Sequence, residues 1–388
     1  MPVISDDVWA EVNLAAILHN TKQIRSLLSP STRLMAVVKA NAYGHGLAAV
    51  AGQVISAGAD VLGVARISEA IQVREAGIDV PILIFGHTPP EKVSCLLDYN
   101  LTQTLWSYKI ARSLSDVAES ENRKIKAHLK VDTGMGRLGI FACDRRRPSE
   151  NLTIPDHAVK EVGLIKRLSG IDLEGIYTHF ATADATDKTL ALRQFELFNQ
   201  FIGHLKKSGI EFKTRHAANS AAIIDMPETH LDMVRAGITV YGYYPSVFVE
   251  MNKINILPAM TVKSRIIHLK TVNSGFSVSY GATEETSRQT VIATVAIGYA
   301  DGYSRLLSSK GKMLVRGRLA PVIGRVCMDL TMLDVGGIPD VAMGDEVVVF
   351  GPHKELSIGA DKIAGEMNTI SYEVLTTISD RVLRVYRK

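Results

Sequence analysis

Lys39 has the setting in this 388-residue chain that points most directly to chemistry. It follows the apolar run Leu34-Met35-Ala36-Val37-Val38 and leads into Ala40-Asn41-Ala42-Tyr43-Gly44-His45-Gly46, a glycine-rich turn toward the next helix. A buried strand that delivers a lysine to its end places the amine where it can lose its proton and act as nucleophile and base. On position alone, a lysine merely leaving a strand is the plainer reading. The same holds elsewhere. Tyr280 alone reads as a strand tyrosine with a satisfied hydroxyl, Lys130 as a charge at a strand end, and Ser220 as a helix cap. Arg235 alone is equally compatible with a surface ion pair. Cys95, Cys143 and Cys327 lie far apart with no CxxC or Cys/His spacing, so neither a disulfide framework nor a metal centre is expected.

The elements that would position these residues alternate regularly. Short apolar runs occur at Leu34–Val38, Val61–Ala65, Ile82–Phe85, Thr102–Leu105, Ala127–Val131 and Leu173–Tyr177, with weaker ones near Phe212–His216 and Asp232–Arg235. Helical patterns lie between them, such as Ala48–Ala57 and Ser68–Ala76, the latter starting at a serine that could cap it. Continuous apolar strands separated by helices imply a parallel sheet, and eight such units match a (β/α)8 barrel of the TIM type. The barrel is expected over residues 13–255. From about Ile256 the texture changes to alternating strands such as Thr261–Ile266, Val291–Ile297, Lys312–Val315 and Val347–Phe350, with one helical stretch at Ile358–Met367. That predicts an α/β barrel followed by a mostly β domain over 256–388, with residues 1–12 pairing with the latter.

Composition narrows the classes further. Lys+Arg of 44 against Asp+Glu of 40 leaves a net charge of +4, spread along the chain, so no nucleic-acid partner is indicated. The densest basic run, Arg145-Arg146-Arg147 before Pro148, reads as a solvated loop. No apolar run reaches membrane-spanning length, and the opening residues lack a signal-peptide pattern, so a cytoplasmic enzyme with no membrane partner is expected.

Taken as a whole, Val37-Val38-Lys39-Ala40-Asn41-Ala42-Tyr43-Gly44-His45-Gly46 closely resembles the pyridoxal-phosphate attachment segment of the alanine racemases. The resemblance continues in order along nearly the whole chain. It takes in His128–Gly139, Tyr177–Ala181, Asn219–Ala222, Val234–Ile238 and Val278–Thr283, then Ile297–Gly302, Gly324–Asp329 and Asn368–Glu373. It implies interconversion of L- and D-alanine, supplying D-alanine for peptidoglycan. Lys39 would carry the cofactor and serve as base on one face of the α-carbon, with Tyr280 on the other. A phenol ordinarily holds its proton to about pH 10, so such a tyrosine needs tuning. His179 and Arg235 match a relay behind that tyrosine, and Arg235 also matches the residue facing the cofactor's pyridine nitrogen. A guanidinium does not readily protonate that nitrogen, which keeps the ring a weaker electron sink and favours clean racemisation.

The remaining roles follow from the same resemblance. Tyr43, Ser220, Gly237, Ile238 and Tyr372 match the phosphate site, in keeping with the habit of barrels to bind phosphate after strands seven and eight. Arg137 and the Met328 N–H match groups that orient the substrate carboxylate. Lys130 matches a lysine that is carbamylated in many members. Tyr299 matches an access-channel tyrosine, and Cys327 and Asp329 flank Met328. Ser371 departs from the proline many relatives carry. Tyr280 and Met328 belong to the opposite subunit's site in the family, which implies a head-to-tail homodimer. Three rivals stay open: a serine or broad-specificity racemase of the same fold, a barrel decarboxylase of basic amino acids, and a non-catalytic protein that stores the cofactor.

Overall fold

The computed structural model describes residues 6–143, 154–353 and 356–388, so the basic run at 145–147 lies outside the described residues. The chain divides into two compact units. One comprises Leu18–Ala42 and Leu47–Ile256. The other takes the chain up to Ile17, Tyr43–Gly46 and Leu257–Lys388. The brief Tyr43–Gly46 excursion has no counterpart in the hydrophobic periodicity.

The first unit is the expected barrel. Its eight parallel strands are Arg33–Val37, Val61–Val64, Ile82–Ile84, Thr102–Leu105, Ile125–Asp132, Ile171–Tyr177, Thr214–His216 and Met233–Ala236. Each pairs in parallel with the next through the seventh, and the eighth returns to pair with the first. Backbone bonds from Asp232 N to Arg215 O (3.1 Å) and Arg235 N to Ala218 O (3.0 Å) join the seventh to the eighth. Met35, Val61, Leu83, Tyr177 and Met233 fill an interior layer, with Phe85 packed against it. The outer helices bury one stripe each. Tyr108–Ser120, capped by Ser107 Oγ accepting from Ile110 N, buries Ala111, Leu114, Ser115 and Ala118. That is the i, i+3, i+4, i+7 stripe of a surface helix. Leu47–Ser56 also matches its sequence pattern.

One cap differs from expectation. The helix expected to start at Ser68 runs Ile67–Glu75, with Arg66 at the N-cap. Its start is held instead by the Glu69 carboxylate, which accepts from Ala65 N (2.8 Å) and Arg66 N (3.0 Å).

The second unit is mostly antiparallel β-structure. The 13-residue strand Met260–Val272 is its spine and pairs with Val8–Asn13, Thr290–Val295 and Glu346–His353. Val8–Asn13 also pairs in parallel with Leu383–Arg387. Trp9 is buried, with the Arg265 guanidinium 5.1 Å from its ring. A second helix, Ser371–Thr376, follows Ala360–Met367. Ser371 is its first residue, the position at which proline is favoured in helices, and the helix begins there with serine.

Candidate functional site

Lys39 stands at the mouth of the first barrel strand, where the backbone takes an uncommon path. Ala40, Asn41, Ala42 and Tyr43 all adopt left-handed angles, with φ between 51° and 53°. For L-residues this costs roughly 1–2 kcal/mol each, so the surroundings must enforce it. The Glu69 carboxylate accepts from Ala40 N (2.6 Å), Asn41 Oδ1 accepts from Leu47 N (2.8 Å), and Ala42 N donates to Val38 O (2.9 Å). The glycine-rich turn expected from the sequence is, over Ala40–Tyr43, a left-handed one held from outside the segment. Burial, then the Arg137 charge, pulls the Lys39 amine below the ordinary lysine range, and Glu69 opposes them. The amine therefore loses its proton more readily than a surface lysine.

Arg235 is buried at the eighth strand and is not the surface ion pair its sequence setting also allowed. Its Nη1 donates to His216 Nδ1 (2.9 Å). Its Nη2 donates to Thr178 O (2.8 Å), Ala217 O (2.8 Å) and His179 Nδ1 (3.2 Å). Burial lowers its pKa to about 10, so the guanidinium stays charged at neutral pH. His179 is held by Gln194, which donates to His179 O (3.3 Å) and accepts from Ala181 N (2.9 Å). Burial and Arg235 push both His179 and His216 well below the usual histidine range, so both imidazoles are neutral.

Lys130, at the fifth strand, is buried, and its Nζ has no hydrogen-bond partner among the described residues. The amine lies 4.5 Å from the Tyr177 ring centroid. Burial first, then Arg235 and Arg137, lowers its pKa far below the ordinary value. Beyond it, Asp132 accepts from Gly134 N (2.8 Å) and Gly136 N (3.1 Å), folding the loop that presents exposed Arg137.

At the barrel's last two strands the donors gather. Ser220 was a candidate helix cap, but Asn219 takes that place, accepting from Ala222 N (3.1 Å). Ser220 Oγ instead accepts from Gly237 N (2.8 Å) and Thr239 Oγ1 (3.2 Å). Ile238 opens a short 3₁₀ turn, whose first N–H groups have no acceptor within it.

Within the other unit, Tyr43 and Tyr372 lie close together, ring centroids 6.0 Å apart, and burial raises the Tyr43 pKa. Tyr280 follows Ser279, itself left-handed at φ 67°, whose Oγ donates to Arg325 O (2.6 Å) and lies 3.4 Å from Cys327 Sγ. Tyr299 N donates to Cys327 O and Ala300 N to Met328 O, both at 3.0 Å. Gly298 makes this possible, since a Cβ there would overlap the carbonyls of Cys327 and Met328. Asp329 pairs with Arg381 at 2.8 Å, which gives it a structural partner. Tyr280, Tyr299 and Met328 are 70%, 43% and 52% exposed.

Three ring-bearing residues at the barrel interior were given no role by the sequence: His128, Tyr177 and His216. Tyr177 stacks on His216 (4.6 Å, 9°), and His216 Nε2 lies 2.9 Å from His128 Nδ1. Their signal was polarity inside apolar strands, since a histidine facing into a barrel needs partners. Thr239 and Glu69 were missed as well.

Comparison with known proteins places the whole chain in one family. Residues 12–245 match the alanine racemase N-terminal domain and residues 259–386 the alanine racemase C-terminal domain. The chain is 53% identical over 380 residues to the alanine racemase of Desulfosudis oleivorans, covering 97% of this chain and 96% of that protein. The solved alanine racemase of Clostridium difficile superposes with a TM-score of 0.91 at 40% identity, over 99% of this chain and 96% of that one. That of Bartonella henselae, solved with covalently bound pyridoxal phosphate, gives 0.84 at 27% identity, over 98% and 99%. The chain belongs to the alanine racemase family of enzymes.

Proposed function

We propose that this protein interconverts L- and D-alanine with pyridoxal phosphate held on Lys39, using Lys39 and Tyr280 as acid and base on opposite faces of the α-carbon. The observation that carries this reading is Arg235. It is a buried, charged guanidinium fixed by two neutral imidazoles and two carbonyls, suited to face a ring nitrogen without protonating it. The residues present fit the cofactor. Lys39 supplies an amine of lowered pKa. Ser220 Oγ, which accepts from Gly237 N and Thr239 Oγ1, keeps its own hydroxyl proton for a phosphate, and the Ile238 N–H at the start of its turn is a second donor. Gly237, Tyr43 and Tyr372 are assigned to the same phosphate by the family resemblance. Bound there, the cofactor supplies a conjugated ring that withdraws charge from the α-carbon.

The chain's own groups do the rest. Arg137 takes the substrate carboxylate in a planar fork, joined by the Met328 N–H. Lys39 and Tyr280 each take or give one proton, and His179 links Arg235 to the tyrosine side. Tyr299 narrows access and favours a small side chain. The exposure of Tyr280, Tyr299 and Met328 suits surfaces that a second copy covers, so the working form is a cytoplasmic homodimer with shared sites. The test is conversion of L-alanine by purified protein with and without added cofactor. Serine and ornithine in the same panel separate the racemase of broader range and the decarboxylase. Full activity on alanine without bound cofactor, or none with it, refutes the reading.

Lys130 in this account is carbamylated. A buried, neutral amine adds carbon dioxide with loss of one proton, and the anion formed offsets the Arg137 and Arg235 charges. Because the reaction needs the neutral amine, the lowered pKa lets it proceed at neutral pH. Protein equilibrated with ¹³C-bicarbonate should show one protected carbamate carbon by NMR, absent in Lys130→Ala. That variant should raise KM for L-alanine about tenfold through a looser Arg137, the loss of one charge-assisted contact. A missing carbamate signal in the unaltered enzyme defeats the assignment.

A further inference from the structure

We propose that His128 is a positioning residue: it fixes the tautomer of His216, and through it holds Arg235 in place, by a one-way hydrogen-bond chain running to the barrel's polar floor. The chain's direction follows from its first member. A guanidinium has donors and no acceptor, so His216 Nδ1, 2.9 Å from Arg235 Nη1, must be unprotonated. His216 is neutral, so its single proton sits on Nε2. That nitrogen is 2.9 Å from His128 Nδ1, which must therefore accept. Burial, with Arg33 and Arg235 nearby, draws the His128 pKa down to about 3, so its one proton sits on Nε2. There it is 3.9 Å from Glu174 Oε1. This separation suits a bridging water rather than a direct bond. Both residues line a cavity of about 570 Å³ at the strand N-termini, together with Arg33, Lys126, Thr214 and Asp232.

Two features show that the ring is built into place. Gly175 lies opposite His128 on the neighbouring strand, where the register shifts between Ala127 and His128. A Cβ on Gly175 would come within 2.5–2.6 Å of three imidazole carbons, so the missing side chain is the niche for this ring. Tyr177 stacks flat on His216, which stops that ring from rotating to exchange its nitrogens. Without an acceptor at position 128, the His216 Nε2–H becomes a buried orphan donor. Its other tautomer would set an N–H against the Arg235 donor. Either outcome loosens Arg235.

The inference rests on the racemase reading for its consequence, but not for its tautomers. In ¹⁵N-histidine-labelled holoenzyme, the His216 signals should show an unprotonated Nδ1 and a protonated Nε2. His128→Leu should perturb that pattern and lower kcat about tenfold or more with KM little changed, because a small displacement of an orienting group slows chemistry more than binding. His128→Asn, which returns an acceptor near the Nδ1 position, should restore much of both. A protonated Nδ1 on His216 in the unaltered enzyme overturns the chain whether or not any variant folds. So does a His128→Leu protein with unchanged signals and kcat. An enzyme with the expected tautomers but no alanine turnover would instead sink the racemase reading and leave the chain standing.

Discussion

Replacing Lys39 with alanine is expected to lower kcat by about 10⁴-fold or more, roughly 5 kcal/mol of barrel-borne catalysis. Two losses combine. In the proposed mechanism the amine is one of the two proton-handling groups, and its removal costs what a positioned base supplies. In the same proposal it is the covalent anchor, so the variant would hold the cofactor only by its phosphate and ring contacts. The lowered pKa matters for both roles, because only the unprotonated amine attacks a carbonyl or takes a proton. Two readouts check the result. Borohydride treatment should fix the cofactor's mass on the Lys39 peptide of the unaltered protein and on no peptide of Lys39→Ala. Racemisation measured by chiral chromatography should fall to the background of free cofactor. Activity within tenfold of the original would remove Lys39 from the mechanism.

Tyr280→Phe is the second large effect, with turnover expected to fall about 10³-fold while the cofactor stays bound. The phenol is 70% exposed within its own chain, and its ring packs no core, so the substitution leaves the fold and Tm essentially unchanged. The loss should be lopsided. With one base left, the variant should still exchange the α-hydrogen of one alanine enantiomer with solvent, yet invert neither at a useful rate. Unchanged inversion in both directions would show that another group serves that face.

Much of this arrangement was legible in the sequence because parallel strands are buried on both faces. Thr102–Leu105 stands out as a strand in the sequence and is one in the structure, Val61–Ala65 is one residue shorter there, and Leu34–Val38 is shifted by one residue to Arg33–Val37. The same feature hides what lies inside. In a strand with no exposed face, only their polarity marks His128 and His216, and nothing local reveals that they meet, since they lie 88 positions apart. Local capping rules misled at two places for one reason. Ser68 and Ser220 are good capping residues, but Glu69 and Asn219 hold the helix starts. Ser220 is thereby left to meet Gly237 and Thr239 across the barrel.

The left-handed path of Ala40 to Tyr43 was also out of reach. Nothing in Ala-Asn-Ala-Tyr favours positive φ except the asparagine, and the conformation is imposed by Glu69 and Leu47 from outside the segment. That cost, borne directly beside Lys39, is what an attachment segment needs if its lysine is to stand at one fixed angle.

The central claim is that one group removes the α-proton and a different group delivers its replacement from the other side. Conversion of L-alanine in deuterium oxide, stopped at a few per cent and analysed by mass spectrometry, tests it directly. Two separate groups predict D-alanine carrying deuterium at the α-carbon in nearly every molecule. Product that largely keeps the substrate's own protium would mean that a single group serves both faces, and would contradict the account.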